Sequence, residues 1–156
     1  FNQNEIHALE DEKELIYRDL YRPHIKPVNG LVKFLNHIRI NHVQIALASS
    51  APRVNIDFVF ENTGIGHYFS IVLDASSVMH GKPDPEIYNK AMHKICVSPD
   101  KCIIIEDSIS GILAARASGA KVIGITTTHS AAELPIVDLI IPDFVSLTIP
   151  ALEKLF

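Results

Sequence analysis

The feature that most constrains this chain is the alternation of short apolar runs with amphipathic helical segments from Val28 onward. Apolar residues fill whole runs instead of every second position, which is typical of strands that are buried on both faces. The predicted strands are 43–48, 71–73, 102–105, 121–125 and 139–141. Because helical segments separate these strands, the sequence predicts an α/β fold: a parallel sheet between two layers of helices.

The segments between the predicted strands are predicted to be helical. We expect one helix to begin at Pro52 and to end near Gly64, with Val54 facing the core. A second helix is expected over 108–118, with Ile109 and Leu113 turned inward. Proline fits the first turn of a helix and glycine fits the position just after its end, so these boundaries have a physical basis.

The first twenty residues have a helical periodicity of their own, with apolar residues such as Leu9 and Ile16 on one stripe. Pro23 and Pro27 follow that stripe, and proline disfavours helix at the residue before it. We therefore divide the chain into a helical segment 1–22, a linker 23–27 and a core domain 28–156.

Composition narrows the class of protein. Fourteen basic and 18 acidic residues give a net charge of −4, which argues against a nucleic-acid binder because phosphate neutralisation needs a basic surface. No apolar run approaches the roughly 18 residues of a membrane span. The two cysteines are too few for a disulfide framework and are expected to be reduced and buried. We expect a monomeric, cytoplasmic protein that binds neither nucleic acid nor membrane.

Polar residues of complementary chemistry follow the predicted strands. They are Ser49, Ser50, Lys82, Glu106, Asp107 and 126–128. Parallel sheets place ligands at the carboxyl ends of their strands, so these residues are expected to share one edge of the sheet. Hydroxyls and a lysine suit phosphate oxygens, and adjacent carboxylates suit magnesium.

Each of these residues also has an ordinary structural interpretation. The serine pair could cap the next helix, Lys82 could be solvated in a proline-rich turn, and Asp107 could cap the helix that follows it. The combination of the three clusters favours a site, because capping does not require a lysine between the serines and the carboxylates.

Three segments resemble the haloacid dehalogenase superfamily of phosphatases and phosphomutases: Ile45–Ser50, Gly81–Glu86 and Ile105–Ser108. The resemblance spans about 28–156 and looks closest to the β-phosphoglucomutase-like branch of sugar-phosphate phosphatases. It implies a Rossmann-like core, Mg²⁺ as the cofactor and a small phosphorylated metabolite as the substrate.

The same resemblance implies a role for each cluster. Ser49, with Ser50, is implied to hydrogen-bond the phosphoryl group. Lys82 is implied to stabilise the negative charge of an aspartyl-phosphate. Glu106 and Asp107 are implied to hold Mg²⁺ directly or through water.

One motif of that family, an Asp-x-Asp that supplies the nucleophile and the general acid–base, has no counterpart in a suitable context. The resemblance implies a central strand for this motif between the strands that precede Ser49 and Asp107, and a helical cap after it. We therefore expect 1–22 to be the last cap helix, the nucleophile to lie upstream, and the segment to be inactive alone.

Several alternatives stay open. A phosphatase is favoured, but a phosphosugar mutase needs the same core residues. A dehalogenase would need no Mg²⁺, and a non-catalytic regulatory module would need no nucleophile. A dinucleotide-binding oxidoreductase would need a G-x-G-x-x-G motif, which Gly64 and Gly66 do not form.

Overall fold

The computed structural model describes residues 2–156, except for the side chains of residues 3, 4, 7, 10 and 11. The α-helices are α1 (Gln3–Tyr21), α2 (Leu31–Ile40), α3 (Arg53–Thr63), α4 (Glu86–Lys94), α5 (Ile109–Ala117) and α6 (Ile149–Glu153). The strands are β1 (Ala46–Ala48), β2 (Ile71–Leu73), β3 (Ile103–Glu106), β4 (Lys121–Ile125) and β5 (Leu139–Ile141). Short 3₁₀ turns lie at 22–24, 66–68, 75–77 and 99–101.

All strand pairs are parallel, which confirms the predicted fold class. They form two separate groups, β1–β2 and β3–β4–β5. In register, Leu47 lies beside Val72 and Ile105 beside Ile123. Within residues 2–156, no strand pairs with both groups, so the backbone between β1 and β3 is not bridged by a ladder.

Helices cover both faces of the strands. On one face, α4 and α5 contribute to an apolar cluster that includes Leu73, Ile104, Ile112 and Val122 and so joins the two strand groups. On the opposite face, a second cluster is built on α2, β4, β5 and the segment after β5. The three layers bring the carboxyl ends of β1 and β3 to the same edge of the molecule.

Some boundaries and orientations differ from the predictions. The first strand is only Ala46–Ala48, half the length of the predicted run. Val54, Ile109 and Leu113 are 55%, 41% and 46% exposed instead of buried. The helix α5 packs against the strands through Gly111, Ile112, Ala114 and Ala115. Small residues lie on this face because the helix and strand backbones approach closely and leave no space for larger side chains.

The helix α1 contacts the core through polar groups. The Arg18 guanidinium donates to the Asn55 side-chain oxygen at 2.8 Å, and the Asn55 amide donates to Glu14 at 2.5 Å. The apolar stripe of α1 is exposed, including Leu9, Ile16 and Leu20. The assignment of 1–22 to a cap remains a prediction. No helix within residues 2–156 is long and apolar enough to cross a bilayer.

Candidate active site

Ser49 and Ser50 follow β1 in a loop that is held by a backbone hydrogen bond to β2. The Ser49 amide donates to the Leu73 carbonyl at 2.9 Å, which extends the β1–β2 ladder by one hydrogen bond. The Ser49 hydroxyl oxygen accepts from the Ala51 amide at 3.1 Å. The N-cap of α3 is Pro52, without a side-chain cap, so the capping interpretation of the serines is wrong.

Lys82 is buried and reaches back across the sheet edge. Its side chain is 9% exposed, which rules out the solvated-turn interpretation. The ammonium donates to the Ala48 carbonyl at 3.4 Å and forms an ion pair with Glu106. Lys82 also lines a cavity of about 170 Å³ together with Ser49 and Ser50. The structure therefore brings the serine pair and the lysine to one small space.

Glu106 is the anchor of this arrangement. Its carboxylate accepts from Lys82 and Tyr88 on one oxygen, and from the Asp107 amide, the Ser108 amide and the Ser108 hydroxyl on the other. Burial by itself raises the pKa of Glu106, but the Lys82 ammonium and these hydrogen bonds outweigh burial and hold that pKa below its ordinary value. Glu106 is thus a buried anion whose oxygens are fully engaged by protein donors.

A glycine makes room for the Glu106 carboxylate. Gly111 lies in the first turn of α5, and a Cβ built there would overlap the carboxylate group of Glu106. Such an overlap requires atoms to shift, since the neighbouring side chain is held by its hydrogen bonds. The absence of a side chain at Gly111 therefore leaves the space that the Glu106 carboxylate occupies.

Tyr88 is a site residue that the sequence analysis missed. It lies in α4, its side chain is buried, and its hydroxyl donates to Glu106. The Lys82 ammonium lies 4.8 Å from the centroid of its ring. The helical spacing of Tyr88 with other apolar residues favours an ordinary core position. The one signal for a polar contact is that a buried tyrosine hydroxyl needs a hydrogen-bond partner.

Asp107 has a more open environment than Glu106. Its carboxylate accepts from the hydroxyls of Thr127, at 3.2 Å, and Thr128, both in the loop after β4. The N-cap of α5 is Ser108, whose hydroxyl oxygen accepts from the Gly111 amide at 3.0 Å, so Asp107 is not the cap. Asp107 lies next to the buried ion pair but makes no contact with Lys82 among those the structure records.

The donor set fits part of a magnesium site. Asp107 offers a half-exposed carboxylate, and hard oxygen ligands are what Mg²⁺ prefers. In the described part of the chain, no three histidine, cysteine, aspartate or glutamate side chains converge on one point. Magnesium usually keeps several waters and phosphate oxygens, so one or two carboxylates from the chain are compatible with its binding.

Comparison with known proteins agrees with this geometry. A family model described as haloacid dehalogenase-like hydrolase matches residues 2–125. The chain belongs to this family. The match extends over Ser49, Lys82, Glu106 and Asp107, which are the residues that the sequence resemblance had singled out.

Relatives of this haloacid dehalogenase-like hydrolase include phosphatases. The validoxylamine A 7′-phosphate phosphatase of Streptomyces hygroscopicus subsp. limoneus is 32% identical over 123 residues, which are 79% of this chain and 58% of that protein. Three other curated relatives are covered over 27%, 40% and 50% of their length. The chain thus spans less than two thirds of the length of each of these four relatives.

Two solved structures share the fold closely. A HAD hydrolase of family IA, variant 3, from Entamoeba histolytica has a TM-score of 0.90 and 28% identity, covering 99% of this chain and 72% of that one. The β-phosphoglucomutase of Clostridium difficile has a TM-score of 0.83 and 25% identity, covering 99% of this chain and 68% of that one.

Proposed function

We propose that this chain forms most of the core of a Mg²⁺-dependent phosphatase that acts on a small phosphorylated metabolite such as a sugar phosphate. The observation that carries the proposal is the shared cavity of Ser49, Ser50 and Lys82, with Glu106 pairing the lysine. A cation with a largely buried side chain that lines a small cavity together with two serines suits the phosphoryl group of a monoester better than a neutral ligand.

Three residues that line the cavity would bind the phosphoryl group in this proposal. The Ser49 and Ser50 hydroxyls would donate to phosphoryl oxygens, and Lys82 would offset the charge that develops on them. Glu106 keeps the lysine in place, since its carboxylate is fixed by four other donors in the protein.

Asp107 would hold Mg²⁺ directly, and Glu106 would contribute through water or through its charge, because its oxygens already accept hydrogen bonds. The bound ion would supply further neutralisation of the phosphoryl oxygens. The Thr127 and Thr128 hydroxyls would orient the Asp107 carboxylate by donating to one of its oxygens.

The attacking group in this proposal is an aspartate from outside residues 1–156. Its carboxylate attacks phosphorus, the bond from phosphorus to the ester oxygen breaks, and the leaving oxygen takes a proton from the second aspartate of the same Asp-x-Asp motif. Water then hydrolyses the aspartyl-phosphate, which releases orthophosphate and frees the carboxylate. The gap between β1 and β3 supports this part of the proposal, because two unpaired parallel edges can both pair with one inserted strand.

A mutase is the second candidate, favoured by the likeness to the β-phosphoglucomutase structure. The two reactions share the phosphoryl-binding groups and differ in whether water or a sugar hydroxyl receives the phosphoryl group. The products separate them: a phosphatase releases orthophosphate, whereas a mutase moves the phosphoryl group within the sugar, and ³¹P NMR distinguishes the two. Cytoplasmic location and the monomeric state remain predictions.

The test compares the 156-residue chain with the product of the whole reading frame that contains it. Both are incubated with a panel of small phosphomonoesters, with and without Mg²⁺, and phosphate release is measured. We expect turnover only from the longer protein, only with Mg²⁺, and reduced by roughly a hundredfold in Ser49→Ala, since a lost phosphoryl donor costs that much.

Ser70→Ala is the matched control, because that exposed serine donates to the Ile45 carbonyl at the opposite end of the sheet. Turnover by the 156-residue chain alone would refute the external nucleophile. Absence of any phosphoryl transfer by the longer protein would refute the enzymatic proposal itself.

A further inference from the structure

The Lys82–Glu106 pair has a neighbour with no assigned role. Tyr88 projects from the first turn of α4 and its buried side chain lies against both charged groups. Its hydroxyl and the Lys82 ammonium share one Glu106 oxygen, and its ring lies beneath the ammonium, 4.8 Å from centroid to Nζ. Three side chains thus form a closed cluster in which each contacts the other two.

We propose that Tyr88 is a positioning residue of the phosphate site, which holds the Lys82–Glu106 pair so that the ammonium faces the end of β1 and the serine loop. The proposal rests on the proposed function insofar as Lys82 is the cation that meets the phosphoryl group.

The two ends of the tyrosine act on different partners. The hydroxyl fixes the Glu106 carboxylate from the helix side, while Asp107 and Ser108 fix the other oxygen from the loop side. The ring supplies a negative face to the ammonium, which favours a cation over it. A lysine side chain has several rotatable bonds, so an ordered ammonium needs contacts on more than one side.

The Tyr88 hydroxyl is a hydrogen-bond donor at this position. A phenol carries its proton at neutral pH, so the Tyr88 hydroxyl can donate to the Glu106 carboxylate. A buried phenol without an acceptor would be costly, and Glu106 is the acceptor that the structure provides. A phenylalanine would fill the same volume and would lack the hydrogen bond.

The test measures the accessibility of Lys82 directly, without reference to catalysis. The purified protein is acylated for short times with a lysine reagent, and the modified lysines are quantified by mass spectrometry. Lys82 is 9% exposed and is expected to react slowly, whereas the exposed Lys33 and Lys101 serve as internal references. Tyr88→Phe should raise the reaction rate of Lys82 by roughly tenfold, as expected for the loss of one hydrogen bond to a charged group.

The chain offers a closely matched control in Tyr68. Its hydroxyl donates to the Asn36 side-chain oxygen at 2.8 Å, and the Arg39 guanidinium lies 5.2 Å from its ring centroid. Tyr68→Phe removes the same atom from a half-buried tyrosine that also donates to a side-chain oxygen and lies near a cation, away from the serine loop. It should leave the rate at Lys82 unchanged.

Three outcomes decide the matter. A selective rise at Lys82 in Tyr88→Phe supports the proposal. A rate within twofold of the wild type overturns it. An equal rise at Lys33, Lys82 and Lys101 also overturns it, because the hydroxyl would then stabilise the whole core instead of the lysine.

A catalytic readout follows in the longer, active protein. Tyr88→Phe should lower kcat by roughly tenfold and leave KM within about twofold, because the cation is displaced while substrate contacts elsewhere persist. Failure of the proposed function shows as no turnover in the wild type, whereas failure of this inference shows in the labelling, whatever the turnover.

Discussion

Glu106 and Asp107 are neighbours in sequence with contrasting surroundings. Glu106 faces the helix layer of α4 and α5, where it is buried and accepts from several protein donors, whereas Asp107 lies at the rim with two threonine hydroxyls. Successive residues at the end of a strand point to opposite sides, so two carboxylates of like charge acquire different surroundings. The inner carboxylate pairs with the lysine, and the outer one is more exposed.

The largest expected effect comes from removing the inner carboxylate. Glu106→Ala leaves the buried Lys82 ammonium without its counter-ion and the buried Tyr88 hydroxyl without its acceptor, and should lower the free energy of unfolding by about 3–5 kcal/mol. Urea denaturation measures this loss. The neighbouring variant Asp107→Ala is the control, and equal losses in the two variants would contradict the contrast between them.

A smaller effect is expected from crowding the inner carboxylate. Gly111→Ala places a methyl group against the Glu106 carboxylate and should cost about 1–3 kcal/mol, although alanine is the better helix former. Gly81→Ala is the matched control, because nothing lies within 4 Å of a Cβ built there. If both substitutions are neutral in thermal unfolding, the close approach of Gly111 to Glu106 is not a real constraint.

Glu86 is a third carboxylate, and its contacts make the stability of the fold depend on pH. Glu86 accepts from the Met79 and His80 amides and from Lys90, and these contacts, the Lys90 one foremost, lower its pKa from 4.5 to about 2. Because the folded pKa lies below the unfolded one, this stabilisation is complete above about pH 4.5 and is lost as the pH falls toward 2.

We therefore expect the stability of the wild type to fall between pH 5 and pH 3, and Glu86→Gln to show a shallower decline. Denaturation midpoints at a series of pH values measure both slopes. Parallel curves for the two proteins would show that Glu86 is not the group responsible.

The smallest effect on stability is expected from a substitution of the outer carboxylate, Asp107. Asp107→Asn should change the free energy of unfolding by no more than about 0.5 kcal/mol, as is usual for substitutions outside a buried network. The same variant should make the Mg²⁺-dependent activity of the longer protein require a much higher concentration of Mg²⁺. Retention of that dependence with unchanged Mg²⁺ affinity would remove Asp107 from the metal site.

Much of this arrangement was predictable from the sequence. The apolar runs predicted every strand, and the position of Ser49, Lys82, Glu106 and Asp107 after or between strands predicted a shared edge. These predictions succeed because parallel strands end at one side of a sheet, whatever the details of packing.

Other features were not predictable from periodicity. Ile109 and Leu113 were expected inside and are exposed, since glycine and alanine at neighbouring positions let α5 approach the strands through a different face. The different surroundings of Glu106 and Asp107, and the hydrogen bond from Tyr88 to Glu106, depend on contacts between elements distant in sequence. No local pattern encodes such contacts.

The most direct measurement of the central claim is the position of a phosphate mimic in a crystal of the longer protein. Tungstate is an oxyanion of similar shape, and its anomalous scattering locates it without reference to any expected position. The account predicts one dominant peak in the cavity, within hydrogen-bonding reach of the Ser49 hydroxyl and the Lys82 ammonium. A peak that leaves this cavity empty and lies elsewhere on the surface would contradict it.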